Sequence, residues 1–100
     1  MSIFLRTVEF DTWLKVLRDP IAIARIMARI RSAEAGNFGD CAPVGDGISE
    51  MRIHVGRGYR LYYCRRAEIT YLLLCGGDKS SQPKDIRKAK TLLKNLENQP

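Results

Sequence analysis

The spacing of apolar residues in the first half of the chain predicts one strand and two helices. Residues 3–8 are rich in β-branched and aromatic side chains, which is typical of a short strand. Asp11 is the predicted cap of a short helix that follows. Asp19-Pro20 then predicts the start of a second helix, because aspartate is a good N-cap and proline needs no N–H at the first helical position. The apolar residues of this helix recur at helical spacing up to Gly36-Asn37: Ile23, Ile26, Met27, Ile30 and Ala33.

In the second half of the chain, apolar residues recur at every second position. Residues 36–47 contain four glycines, a proline and two aspartates, and predict a loop. Apolar and polar residues then alternate over 51–55 and again over 59–64, on either side of a turn at 56–58. Residues 69–75 are apolar on both faces and predict a central strand, and helical spacing returns from Ile86 to Leu96. The predicted order is strand, helical pair, three-stranded antiparallel meander and C-terminal helix, an α+β fold in one domain over residues 1–100.

Composition and charge narrow the class of protein. Charged residues make up 28% of the chain, no apolar stretch approaches the roughly 20 residues that span a bilayer, and no charged leader precedes an apolar segment. We therefore expect a soluble cytoplasmic protein. Residues 49–90 hold ten basic and four acidic side chains, so the whole net charge of +6 arises there. This asymmetry is compatible with a surface that faces a polyanion and equally with a solubilising excess of charge.

The cysteines and the single histidine argue against a metal site or a cofactor. Cys41, Cys64 and Cys75 cannot all pair within the chain, and none of them has the C-x-x-C spacing of zinc or redox sites. We interpret them as reduced thiols that are buried in the core.

The predicted hairpin gathers candidate RNA-binding side chains onto one exposed face. A three-residue turn at 56–58 would pair Val55 with Tyr59, which places His54 opposite Arg60 and Arg52 opposite Tyr62. Guanidinium groups bind phosphate, and aromatic rings stack on unpaired bases. Arg57 at the tip and Lys79 after the central strand would extend this surface. The alternative is that these basic side chains are merely solvated, and a slip of one residue in register would scatter them.

Three segments in a fixed order carry a resemblance to a known family. They are an arginine on one strand, a Gly-Tyr-Arg return of the hairpin, and a Gly-Gly-Asp-Lys-Ser exit from the last strand: Arg52, Gly58 to Arg60, and Gly76 to Ser80. Residues 38–88 as a whole resemble the phage-derived addiction-module killer proteins, a HigB-like branch of the RelE/ParE toxin superfamily. The preceding helical pair and the trailing helix fit the same family.

The resemblance implies the toxin of a type II toxin–antitoxin system, made beside a helix-turn-helix antitoxin. RelE-like toxins bind the ribosome and cut mRNA without a metal, by attack of a 2′-hydroxyl on the neighbouring phosphate. Arg60 matches the arginine of the Tyr-Arg motif and would stabilise that phosphate, and Arg52 matches the arginine of the preceding strand. Lys79 matches the basic residue that clamps the phosphate or protonates the leaving group. His54 lies outside the family motif and is a candidate base through the hairpin register alone. Further RNA contacts are predicted for the following residues: Arg57, Tyr62, Lys84, Arg87 and Lys88.

Two other functions remain open. Several RelE-like nucleases carry a tyrosine or histidine near the C-terminus as general base, and this chain has neither after Tyr71. A ParE-like inhibitor of DNA gyrase, which binds without catalysis, shares the fold, so fold alone does not decide between them. The third possibility is a non-toxic module that binds RNA or an antitoxin. The basic cluster and His54 favour the nuclease.

Overall fold

The computed structural model describes residues 1–98 and contains one mixed sheet of five strands with three α-helices. The elements are β1 (Ile3–Arg6), α1 (Val8–Val16), α2 (Pro20–Glu34), β2 (Cys41–Gly45), β3 (Ile48–Ile53), β4 (Tyr59–Arg65), β5 (Thr70–Asp78), a 3-10 turn (Lys79–Ser81) and α3 (Gln82–Glu97). The strand order is β1-β5-β4-β3-β2, with β1 parallel to β5 and the other pairs antiparallel. The predicted α+β class is confirmed. No helix within residues 1–98 combines the length and apolarity needed to cross a bilayer.

Helix capping agrees with the sequence at α2 and differs at α1. The Asp19 carboxylate accepts a hydrogen bond from the N–H of Ala22 at 3.1 Å, so the predicted cap of α2 is confirmed. The predicted cap Asp11 is wrong, since α1 begins earlier and Asp11 lies inside it. Thr7 caps α1 instead, because its hydroxyl accepts from the N–H of Phe10 at 3.0 Å and donates to the carbonyl of Leu74 at 2.6 Å.

The predicted loop at 36–47 contains an additional strand. Residues 41–45 form β2, which lies at the sheet edge and pairs with β3. Asp46 and Gly47 join the two strands with φ angles of 56° and 78°, as a two-residue hairpin turn with two positive φ angles requires. Pro43 is tolerated because an edge strand needs no N–H on its open side. The meander therefore has four strands rather than three.

Helices cover both faces of the sheet. The predicted core face, with Met51, Ile53, Leu61 and Tyr63, packs against α1 and α2, as expected. The opposite face, which the hairpin prediction left open to solvent, is covered by α3 through a second cluster of buried residues: Ile48, Tyr62, Cys64, Leu74, Cys75, Ala89 and Leu93. Cys64 and Cys75 are buried free thiols, as predicted, whereas Cys41 is only half-buried. The apolar stripe of α3 needs a surface to pack on, and this sheet face provides it.

Candidate nucleic-acid interface

The register of the β3–β4 hairpin differs from the predicted one by two residues. Ile53 pairs with Tyr59, Arg52 with Arg60, and Glu50 with Tyr62. The connecting loop spans residues 54–58 rather than 56–58, and Gly56 and Gly58 take positive φ angles of 54° and 75° within it. A shift of two residues leaves each strand side chain on its predicted face. Arg52 and Arg60 therefore lie directly opposite each other, whereas the prediction placed them in two neighbouring cross-strand pairs.

A buried carboxylate separates the two arginines. Glu50 is fully buried, and it accepts hydrogen bonds from Arg52 Nε at 2.9 Å, Tyr62 Oη at 3.2 Å and Gln82 Nε2 at 2.7 Å. Arg60 Nε lies 3.3 Å from Glu50 Oε2 as an ion pair without hydrogen-bond geometry. Burial raises the pKa of Glu50, but the hydrogen bonds from Gln82 and Arg52, with the charge of Arg60, lower that pKa below its usual value overall. Glu50 is thus ionised at neutral pH and offsets the repulsion between the two cations.

The burial of these side chains corrects two expectations. Tyr62 was predicted to stack on RNA, but it is fully buried under α3 and its hydroxyl is bonded to Glu50. An open position for Tyr62 is therefore wrong. Arg60 was also expected to be open, yet only 12% of its side chain is exposed, against 35% for Arg52. The accessible cationic surface around the arginine pair is smaller than the sequence suggested.

His54 pairs with a residue that the sequence did not single out. It follows the end of β3 rather than opposing Arg60, so the predicted pairing is wrong. Its Nε2 lies 2.6 Å from Asp40 Oδ2, and Asp40 Oδ1 lies 3.4 Å from Arg52 Nη1. The hydrogen bond with His54, helped by the charge of Arg52, lowers the pKa of Asp40 despite the opposing effect of burial. No local pattern marks Asp40, because it precedes His54 by 14 positions in the chain.

The remaining basic residues lie at the hairpin tip and on α3. Arg57 is exposed and lies 3.7 Å from Asp78. Lys79 is exposed beside the hairpin as predicted, since a Cβ on Gly58 would stand 3.6 Å from Lys79 Cβ. Three further predicted residues are exposed on α3: Lys84, Arg87 and Lys88.

These basic residues form two groups rather than one patch. Arg57, Lys84 and Lys88 line an open cavity of about 790 Å³ that also contacts Trp13 at the β5 side of the sheet. His54 and Arg52 lie on the β3 side, and β4 separates β3 from β5. Within residues 1–98 no cluster of three or more His, Cys, Asp or Glu side chains could hold a metal ion.

The fold and this surface define a basic α+β protein whose mixed sheet carries an arginine pair fixed by a buried glutamate. No family model matches the chain. An uncharacterized protein of Haemophilus influenzae is 50% identical over 90 residues, which cover 90% of this chain and 91% of that protein. The chain belongs to the same family as the Haemophilus influenzae protein. The similarity extends over nearly the whole length of both proteins.

Proposed function

We propose that this protein is a HigB-like toxin of the RelE/ParE superfamily that cuts mRNA on the ribosome. The observation that carries the proposal is the arginine pair, Arg52 opposite Arg60, held by the buried Glu50 at the end of the sheet where His54 and Lys79 also lie. The family resemblance supports a cytoplasmic protein with a helix-turn-helix antitoxin as partner.

The proposed reaction uses four side chains and no metal. His54 takes the proton from the 2′-hydroxyl, whose oxygen forms a bond to phosphorus while the bond from phosphorus to the 5′-oxygen breaks. Arg52 and Arg60 stabilise the negative charge that develops on the phosphate. Both arginines face Glu50 through Nε, while Nη1 of Arg52 contacts Asp40 and Nη1 of Arg60 donates to the carbonyl of Gly58, so the phosphate engages their Nη2 groups. Lys79 donates a proton to the departing 5′-oxygen.

Replacing Arg60 with alanine should lower the rate of mRNA cleavage by about 10²–10³, the usual effect of removing one group that stabilises developing charge. Lys79→Ala should reduce the rate less. The measurement is primer extension of transcripts from cells that express each variant, together with growth arrest. Arg65→Ala is the matched control, because Arg65 ends the same strand, is exposed and, within residues 1–98, bonds only to the nearby carbonyls of Ala67 and Glu68.

Since Arg60 is mostly buried, thermal unfolding must show that Arg60→Ala is folded under the assay conditions. A folded Arg60→Ala protein that cuts mRNA at the normal rate would remove Arg60 from the mechanism.

The low exposure of Arg60 also favours a second candidate, a ParE-like protein that binds DNA gyrase without catalysis. A group that is 12% exposed contacts a substrate phosphate less readily than an open side chain does. The same expression experiment separates the candidates, because gyrase inhibition leaves transcripts uncut and damages DNA. Uncut mRNA in growth-arrested cells would overturn the nuclease proposal.

Ribosome binding should weaken steeply with added salt, because contacts to rRNA phosphates release counterions. The slope of log K against log salt should fall by about one for each phosphate-contacting side chain removed. The side chains to replace by alanine are five exposed basic residues of the proposed RNA-binding surface: Arg57, Lys79, Lys84, Arg87 and Lys88. Sedimentation with purified ribosomes measures binding, and Lys15→Ala on α1 is the control. A slope unaffected by all five replacements would exclude this surface as the ribosome contact.

A further inference from the structure

The contact between Asp40 and His54 determines which imidazole nitrogen is free. Asp40 Oδ2 lies 2.6 Å from His54 Nε2, and an ionised carboxylate can only accept a hydrogen bond. The proton of the neutral ring therefore resides on Nε2, which leaves Nδ1 as the acceptor. The His54 side chain is 72% exposed, so a substrate hydroxyl can approach the ring.

The backbone of Asp40 is fastened to two other elements. Its carbonyl accepts from the N–H of Arg52 on β3 at 2.9 Å. Arg29 on α2 donates to the carbonyls of Phe38 at 2.9 Å and Asp40 at 3.3 Å, and its other terminal nitrogen bonds the carbonyl of Arg52. The Arg29 guanidinium packs on Gly39, where a Cβ would stand 2.7 Å from its Nη2. A loop held by this many bonds presents the Asp40 carboxylate in one place.

The charges around Asp40 keep it ionised. Arg52 Nη1 lies 3.4 Å from Oδ1, and the charge of Arg29 on α2 acts in the same direction. His54 thus faces the carboxylate of Asp40, and the guanidinium groups of Arg52 and Arg29 lie on the other side of that residue. A carboxylate in this setting accepts a hydrogen bond from the Nε2–H group throughout the neutral pH range.

We propose that Asp40 is the positioning residue of His54, which it orients with Nδ1 toward the 2′-hydroxyl of the RNA. Its catalytic consequence rests on the proposed cleavage of mRNA. When Nδ1 takes the hydroxyl proton, the imidazolium that forms stays paired with the Asp40 carboxylate, as the aspartate of a serine-protease triad stabilises its histidine. Asp40 does not touch the substrate in this arrangement.

The tautomer of His54 tests the proposal without any assay of activity. His54 is the only histidine in the chain, so the signals of its two ring nitrogens can be assigned unambiguously in the ¹⁵N NMR spectrum of the labelled protein. In the wild-type protein at a pH where the ring is neutral, we expect protonated Nε2 and unprotonated Nδ1. Asp40→Asn should lower the population protonated at Nε2, and Asp40→Glu should restore part of it. Asp46→Asn is the control, since Asp46 is an exposed aspartate that pairs with Lys90 instead.

The rate of mRNA cleavage supplies the second measurement. The Asp40→Asn variant should cut mRNA about tenfold more slowly than the wild type, a smaller loss of rate than the 10²–10⁴ that removal of a general base costs. Its thermal unfolding should be unchanged, because Asp40 is exposed. An unchanged tautomer in Asp40→Asn would overturn the positioning role whatever the rate. Wild-type protein that fails to cut mRNA would instead overturn the proposed function, while the NMR comparison would still decide whether Asp40 orients the ring.

Discussion

Replacing Glu50 with leucine should destabilise the protein by about 3–5 kcal/mol, the cost of leaving a buried charge without its partner. Arg60 would lose its only carboxylate within the described residues 1–98, and its side chain is 12% exposed. The hydroxyl of Tyr62 and the amide of Gln82 would also lose their acceptor. Urea unfolding measures the loss, and Glu68→Leu on the exposed β4–β5 turn is the control.

A double variant tests whether the loss of stability in Glu50→Leu comes from the unpaired charge of Arg60. Glu50→Leu combined with Arg60→Met removes both buried charges, and apolar replacement of a whole ion pair is often close to neutral. We therefore expect the double variant to recover much of the stability that Glu50→Leu loses. If Glu50→Leu alone is as stable as the wild type, the carboxylate does not hold the arginine pair.

The pH dependence of stability should also show that ionised Glu50 stabilises the folded protein. The pKa of Glu50 is lower in the folded protein than in the unfolded chain, so its stabilising effect is complete above the unfolded value. That effect disappears as the pH falls through the folded pKa. The wild type should accordingly lose more stability than Glu50→Gln on acidification below about pH 4.5, the usual pKa of a glutamate side chain.

Gly77→Ala should be the second strongly destabilising substitution. A Cβ on Gly77 would overlap Oδ2 of Asp85 and stand 3.0 Å from Oγ of Ser81. Asp85 is buried and accepts a hydrogen bond from Ser81 at 2.5 Å, so neither group can yield without breaking that bond. We expect a loss of about 1–3 kcal/mol, as for overpacking in a core, measured by thermal unfolding.

The neighbouring glycine provides the comparison for this prediction. A Cβ on Gly76 would overlap the ring of Trp13 on the other face of the sheet, so Gly76→Ala should cost a similar amount. Gly36→Ala serves as control, because nothing lies within 4 Å of its Cβ position and only its φ of 101° opposes alanine. A Gly77→Ala protein as stable as the wild type would contradict the tight packing of α3. Gly76 and Gly77 thus have a packing role in this protein.

Local signals predicted most of the elements correctly. The Asp19-Pro20 start and the helical spacing of apolar residues predicted α2. The alternation of apolar and polar residues predicted β3 and β4 and the face of each strand that packs in the core. The strand β2 was missed because Pro43 and the flanking glycines read as a loop, although Asp46-Gly47 is a hairpin signal in itself.

The candidate site was harder to predict because it depends on contacts between distant residues. The length of the β3–β4 loop decided the register, and two glycines in that loop are compatible with either three or five connecting residues. The face on which α3 packs decided the burial of Tyr62 and Arg60, and the periodicity of α3 does not specify that face. Asp40 lies beside His54 in a segment whose backbone is bonded by Arg29 of α2 and Arg52 of β3, contacts that no sequence spacing indicates.

The pairing of β1 with β5 has a consequence for how the chain folds during synthesis. The hydroxyl of Thr7 bonds the carbonyl of Leu74, a separation of 67 residues, and the Phe4 and Tyr71 rings stack with centroids 5.1 Å apart. The first strand therefore has no partner until the fifth has left the ribosomal exit tunnel. Closing so long a segment is slow compared with forming the hairpins between neighbouring strands. Docking of the N-terminal strand is thus a late step in the maturation of the nascent chain.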